Sequence, residues 1–531
     1  LFAALLVAAL VLSACSPFGG GKQGGSGGQV LNLMERDEPP NLDSAKSTDQ
    51  VSFTILANVE EGLYKLDKDG KPVLGMAAEE PKVSPDKKTY TFKLRDAKWS
   101  DGKPVTAHDF EYAWKRALDP KTASEYAYIL YPVLNAENYN TGKAKPEDVG
   151  VKAIDDKTLE VKLERPIPFL NYLLAFPTYL PQRKDIVEKY GEKYALEASN
   201  MVFNGPYVLS EWKHNQSFTY KKNDNYWNKD NVKLDTVKVQ IVKDAGTALN
   251  LYKTGKLDYT QLSSDFIDAY KNSPERVAYY DSSVWYLEMN QTKPFFKNQK
   301  VRKAIAEAID KKTFTDKLTK DGSEPAGALV PPQIYVVGKE FRSIATANVQ
   351  FNPTEAKQLL QEGLKELGMS SAPSVEVLAN DTPNAKRDAQ FVQSQLQTNL
   401  GLKVTVTPVP FKERLKRTKE GNFDIAIMGW GADYNDPMTY LDLFMSDNPQ
   451  NRGKYSNPQY DALIKKSKEN PNFEERAKDL VKAEQMIMDD AGVAPLYYRK
   501  MNVLVKPYVK DLSFHAIGPE YNLEYVHIEG K

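Results

Sequence analysis

The chain is predicted to be an α/β protein of two α/β lobes with an additional mixed α+β block, on three stretches of hydrophobic patterning. In the first, Val237, Val239 and Ile241 mark a strand, Ala245 to Tyr252 a helix, and Leu257 to Tyr259 a short strand. In the second, Val375–Leu378, Lys403–Val406 and Phe423–Met428 read as strands, separated by helices at Ala385–Leu400 and Lys412–Lys419. Strands alternating with helices imply a parallel sheet covered on both faces. In the third, Tyr90–Leu94 and Thr158–Leu163 alternate like strands around a helix that opens at Thr106-Ala-His-Asp109, a capping-box pattern. The helix places Phe110, Ala113, Trp114, Ala117 and Leu118 on one face, so Trp114 reads as core.

The stretch before this body is apolar from Leu1 to Leu12, continuing through Ser13 and Ala14. It is shorter than the roughly 20 apolar residues of a spanning helix and fits the apolar region of a secretory signal. Leu12-Ser13-Ala14-Cys15 reads as a lipobox and resembles that of bacterial lipoproteins, with Cys15 as the lipidated residue. Cys15 is the single cysteine, which excludes an internal disulfide. Residues 19–28, rich in Gly, form a flexible tether. Gly24-Gly25-Ser26-Gly27-Gly28 matches G-x-S-x-G but lacks the strand and helix of a nucleophile elbow.

Charged residues make up 27% and balance to zero, so nucleic acid is not an expected partner. The four histidines, His108, His214, His515 and His527, are scattered, and neither H-E-x-x-H nor a phosphate-binding glycine motif occurs. Neither a metal nor another cofactor is expected, and nothing argues for an enzyme. The 30 tyrosines suit recognition of varied ligands, although most read as half-buried strand residues.

Ala97-Lys-Trp-Ser-Asp-Gly-Lys-Pro-Val-Thr-Ala-His-Asp-Phe110 resembles the signature stretch of the family 5 extracellular solute-binding proteins. Phe203-Asn-Gly-Pro-Tyr207, Val301-Arg-Lys-Ala-Ile305 and Gly429-Trp-Gly-Ala-Asp-Tyr-Asn-Asp-Pro437 match further pieces, most strongly in the oligopeptide-binding branch. The resemblance implies a periplasmic-binding-protein-like fold (type II, cluster C), two α/β lobes joined by a hinge plus an extra α+β domain. Domain I is then expected at 29–60, 186–282 and 501–531, domain II as the insertion at 61–185, and domain III at 283–500. It further implies a monomer that captures oligopeptides outside the cytoplasm and hands them to the permease subunits of an ABC importer.

Residue by residue, the resemblance puts Asp433 against the peptide's α-ammonium. Gly429 and Gly431, read as a turn after the 423–428 strand, would expose backbone to the ligand. Trp430, Tyr126, Tyr286, Phe411 and Tyr497 match aromatic positions that line the site. The chain departs from Gram-negative members in lacking cysteines at Gly431 and Ser283. Ile427 and Ala385 also stand where those members have a basic residue and a histidine that can meet the peptide C-terminus. With the lipobox, the absent cysteines imply a Gram-positive surface lipoprotein, held at the membrane through Cys15. The alternatives are a carrier of another solute on the same fold (dipeptide, peptide pheromone, oligosaccharide, nickel or haem) and a surface peptidase.

Overall fold

A computed structural model describes residues 28–531. The signal stretch, Cys15 and the tether up to residue 27 lie outside the described residues. In chain order, the strands of the three largest sheets begin with β1 (Val30–Glu35), β2 (Lys82–Val83), β3 (Thr89–Lys93), β4 (Val151–Asp155) and β5 (Thr158–Lys162). Next come β6 (Tyr207–Lys213), β7 (Ser217–Lys222), β8 (Thr236–Ile241) and β9 (Tyr259–Gln261). They end with β10 (Arg276–Met289), β11 (Val375–Asn380), β12 (Val404–Val409), β13 (Ile425–Gly431) and β14 (Ala494–Val505). The helices that matter below are α1 (Ala107–Leu118), α2 (Ala245–Lys253), α3 (Pro383–Leu400), α4 (Phe411–Lys419) and α5 (Phe473–Asp489).

Three sheets organise the molecule. One runs β1-β8-β7-β6, with β1 parallel to β8 and the other pairs antiparallel. A second, β2-β3-β5-β4, is antiparallel throughout. The third runs β9-β14-β10-β13-β11-β12, and a two-residue strand at Glu324–Pro325 joins β14. The first and third sheets are therefore mixed and not parallel as the strand–helix alternation suggested. Only β1/β8, β11/β12 and β11/β13 are parallel; β10 and β14 enter the third sheet from distant parts of the chain as antiparallel neighbours.

The 235–260 stretch also divides differently from expectation. Its first strand, β8, belongs to the first sheet, while its short strand pairs with β14 in the third. That short strand is Tyr259–Gln261 and not Leu257–Tyr259, because Asp258 is drawn to β1. The Asp258 N–H donates to the Asn32 carbonyl at 2.8 Å, and its carboxylate accepts the Asn32 N–H at 2.7 Å. α3 begins at Pro383, two residues before the predicted start, since the Thr382 hydroxyl caps the Ala385 N–H. α1 opens as its capping box predicts: the Asp109 carboxylate accepts the Thr106 N–H (2.9 Å) and the Trp99 indole N–H (3.1 Å).

β10 and β14, of 14 and 12 residues, are long enough to serve two cores. Val503 and Leu504 of β14 pack with β1, β7 and β8. At the other end, Leu287 and Met289 of β10 and Ala494 and Leu496 of β14 pack with α3 and β11. Between these ends the ladder breaks: Tyr280 pairs with Lys500, but Val284 pairs with Tyr498. The surplus residues of β10 bulge, and Ser282 takes φ +48°, so the strands bend where they cross between lobes. Arg499 Nε donates to Asp281 at 2.6 Å across this bend. The α+β block packs against the rest of the molecule through apolar side chains. Its apolar residues, among them Phe92, Trp114 and Leu159, share one core with Val284, Met428 and Tyr434.

Candidate functional site

β13 bears Gly429, Trp430 and Gly431, and one of its edges is open. Along one side it pairs with β10 over its full length, from Met289 opposite Ile425 to Ser283 opposite Gly431. On the other side β11 reaches only Ile425 and Ala426. Residues 427–431 thus have no strand partner on that edge among the described residues.

Which backbone groups point outward follows from strand alternation. The Asp424 carbonyl accepts from Asn290, which follows β10, so even-numbered residues face β10. The Ile427 carbonyl accepts instead from the Arg414 guanidinium of α4, at 3.5 Å, on the open side. Gly429 and Gly431 follow Ile427 in phase, and their N–H and C=O groups point outward. Both glycines lie within the strand, not in a turn as read from sequence, because pairing with β10 continues through Gly431. At Gly429 the lack of a Cβ serves close packing: an added Cβ would stand 2.7–3.0 Å from the Trp285 ring. At Gly431 the nearest atom to such a Cβ is the Asp281 carbonyl, 3.9 Å away. Gly429→Ala is therefore expected to destabilise the protein by about 1–3 kcal/mol through overpacking. Gly431→Ala should stay within about 0.5 kcal/mol of the parent. Urea melts of the two variants, which differ by the same single methyl, check the pair.

Just past the open edge the chain is held residue by residue. The Ala432 carbonyl accepts from Gly518, in the C-terminal segment, at 2.9 Å. The Asp433 N–H donates to the Thr439 hydroxyl (3.1 Å). Tyr434 stacks on Phe169 of the α+β block (4.2 Å, 10°), and Asn435 accepts the Tyr335 N–H (3.0 Å). Asp436 is paired twice by Arg476 of α5 (2.7 and 2.8 Å). Among these residues Asp433 is left without a cation. Its carboxylate accepts only the Tyr126 hydroxyl, at 3.1 and 3.3 Å, among the described residues. Burial pushes its carboxyl up to about 8, against the lowering effect of the Tyr126 hydrogen bond. A desolvated acid with one neutral donor is a site for a cation that brings its own hydrogen bonds.

Tyr126, Trp430 and Asp433 come together: the Tyr126 ring stacks on Trp430 at 6.0 Å and on Tyr128 at 5.6 Å. The Trp430 indole N–H is buried with no partner among the described residues. Tyr286 lies on the same sheet face as Trp430, opposite Met428, edge-on to Phe444. Tyr497 is on the other face, where it pairs with Trp285 and stacks between Trp285 and Phe314. Phe411 stands at the far end of the open edge, beside Arg414, and lines a cavity of about 370 Å³ shared with Asp37, Trp212 and His214. Of the predicted residues, Tyr126, Trp430 and Asp433 thus meet, Tyr286 and Tyr497 lie on opposite faces of the sheet, and Phe411 lines a cavity that none of the others reaches.

Sequence reasoning passed over Trp285, the Asp281–Arg499 pair and Arg414. Arg414 alone left a signal, being three residues after Phe411 and four before Thr418 on a helix whose buried positions are Arg414 and Thr418. No group of three metal-binding side chains occurs among the described residues, nor a helix long and apolar enough to cross a membrane.

The profile of the bacterial extracellular solute-binding proteins, family 5 (middle region), matches residues 71–452. The chain belongs to this family. Its members bind solutes and are not enzymes. Among curated relatives, the dipeptide-binding protein DppE of Bacillus subtilis is 36% identical over 495 residues, 93% of this chain and 91% of that protein. The oligopeptide-binding protein OppA of the same organism is 36% identical over 512 residues, 93% of each. Among solved structures, Listeria monocytogenes OppA bound to peptide superposes with a TM-score of 0.92 at 44% identity, covering 95% of this chain and all of that one. Two structures of the Escherichia coli murein tripeptide-binding protein MppA, each 29% identical and covering 95% of this chain, discriminate lobe positions. One gives a TM-score of 0.86 over 99% of its own chain, and the unliganded open form gives 0.61 over 98%. In this family member the lobes stand as in the peptide-bound relative and not as in the open form.

Proposed function

We propose that this family 5 solute-binding protein captures oligopeptides in the groove along β13 and delivers them to an ABC importer. The observation that carries the proposal is an open strand edge ending in a buried carboxylate that lacks a cation. An extended peptide supplies both complements: backbone amides for Gly429 and Gly431, and an α-ammonium for Asp433. Side chains would then project alternately toward the Tyr126–Trp430 face and the Trp285–Tyr497 face. The relatives' peptide ligands support this reading over a sugar or nickel carrier. The Leu12–Cys15 stretch supports attachment to the outer face of the cell membrane through a lipid on Cys15. Calorimetric titration with short peptides, against oligosaccharides of similar size, tests the proposal; heat from the sugars alone would overturn it.

Closure in this proposal is coupled to protons. In the open form a hydrated Asp433 would titrate near the ordinary value of about 3.9. In the closed form it is pushed up to about 8. Closing without ligand therefore requires proton uptake at any pH between these values, and the closed empty form loses up to roughly tenfold in population per pH unit on the way up. X-ray scattering of ligand-free protein from pH 5 to pH 8 should show the radius of gyration increasing with pH. The trend should flatten in Asp433→Asn, and a flat profile in the wild type would contradict it.

A further inference from the structure

Outside the groove, a second cavity of about 50 Å³ has no part in the peptide reading. One wall comes from the α+β block, with Ile129, Arg165 and Leu173, and the other from the chain after β13, with Tyr434, Met438 and Phe473. From residue 284 to residue 498 the chain stays on one side of the bends in β10 and β14, so the two walls belong to opposite lobes. The cavity adjoins the Asp433 end of the groove: Tyr128 lines it and stacks at 5.6 Å on Tyr126, the residue that donates to Asp433. Four charged side chains line it, Arg165, Asp442, Lys468 and Arg476. Lys468 pairs with Asp442 at 2.6 Å, and Arg476 is held by Asp436. Arg165 is left over. It makes no hydrogen bond or ion pair among the described residues, and its Nε is buried. The acids that act on it are, in order, Glu469, Glu164, Glu137 and Asp442; the first three are exposed to solvent. A desolvated guanidinium without an acid favours an arriving anion, and its parallel N–H groups match a carboxylate.

The remaining walls and the size narrow the anion further. Ile129, Leu173 and Met438 are each 4% exposed or less and offer only apolar surface. At about one water-sized probe sphere per 10–15 Å³, the cavity takes roughly four or five non-hydrogen atoms, which is a carboxylate with a tail of two carbons. Phe473, 38% exposed, stands at the rim. An amino acid fits less well, because its ammonium would enter among three basic side chains. We infer that this cavity is an effector site for short-chain monocarboxylates, which pair with Arg165 and, by bridging the two lobes, raise the affinity for peptide. Opening the lobes parts the walls and leaves half a site on each. A ligand that touches both therefore favours the closed form, and linkage makes the effect on peptide binding mutual. The coupling rests on the peptide reading above; the carboxylate site does not.

The test uses propionate, with its uncharged isostere propionamide and with chloride as controls, on protein carrying isotope-labelled methionine methyls. The Met438 resonance is identified by its loss in Met438→Leu. At constant pH and without peptide, propionate should shift the Met438 methyl to saturation and lower the radius of gyration in X-ray scattering; propionamide and chloride should do neither. Arg165→Gln should weaken propionate by roughly tenfold or more, the range for one hydrogen bond to a charged group, with no loss of peptide affinity, and Arg165→Lys should restore part of the propionate binding. With the site filled, the wild type should bind peptide roughly fivefold or more tightly, the lower end of a typical coupling, and Arg165→Gln should show no such gain. A Met438 methyl that does not move, or that moves equally with propionate and propionamide, overturns the site. So does an Arg165→Gln protein that binds propionate as the wild type does. Peptide affinity that stays fixed while the site fills overturns the effector role. If the wild type binds no peptide with or without propionate, the peptide reading and the coupling fall, while the Met438 shift and the scattering still decide the carboxylate site.

Discussion

Asp433→Ala is expected to weaken a peptide with a free amino end by about 2–5 kcal/mol, the scale for removing one partner of a buried charge pair. The size follows from what remains after the substitution. The ammonium would still enter a closed, aromatic-lined end of the groove, where Tyr126 and Trp430 offer ring faces and one hydroxyl but no anion. Part of the loss therefore measures a stranded cation and not the net strength of the pair. An N-acetylated peptide on the wild type isolates the complementary defect, a buried acid with no cation. Combining variant and acetylated peptide completes a double-mutant cycle in which the two losses should not add. Additive losses in calorimetric titrations would place the amino terminus elsewhere. Tyr126 belongs to the same end, because its hydroxyl is the one donor that Asp433 already has.

How much of this was legible in the residues differs by level. Strand and helix positions over 375–430 came through because each apolar run is short, regular and flanked by polar turns. The topology did not, since β10 and β14 pair across more than 200 residues of sequence and local periodicity carries no information on such partners. Gly429 and Gly431 read as a turn because glycine is usually a turn signal. In the structure they mark an edge and a tightly packed tryptophan, which only the partner strand reveals. Asp433 was found through its motif, yet the missing counter-charge that gives it meaning is a property of burial. Arg414 stayed hidden for the opposite reason: it lies among Lys412, Glu413, Lys416 and Arg417 on a highly charged helix, and only the third dimension separates it from those neighbours.

The largest effect on folding is expected at Arg476, outside the groove. Its guanidinium grips Asp436 with two parallel hydrogen bonds, and both side chains are about 5% exposed or less. Asp436 in turn accepts the Met438 N–H at 2.9 Å, turning the chain from the Asp433 loop into the following helix. Arg476→Ala leaves an uncompensated buried carboxylate and should destabilise the protein by about 3–5 kcal/mol. Replacing both partners, Arg476→Met with Asp436→Leu, should restore much of that stability, because the desolvation of two charges is removed with their attraction. Binding should not recover in parallel. Asp433 is placed by its link to Thr439 and by the turn that Asp436 closes, so an apolar pair would refill the core but leave the carboxylate loosely aimed. Urea melts and peptide titrations on the single and double variants should therefore diverge. If the double variant regains affinity along with stability, the ion pair contributes bulk alone, and the orientation of Asp433 is set by the strand that precedes it.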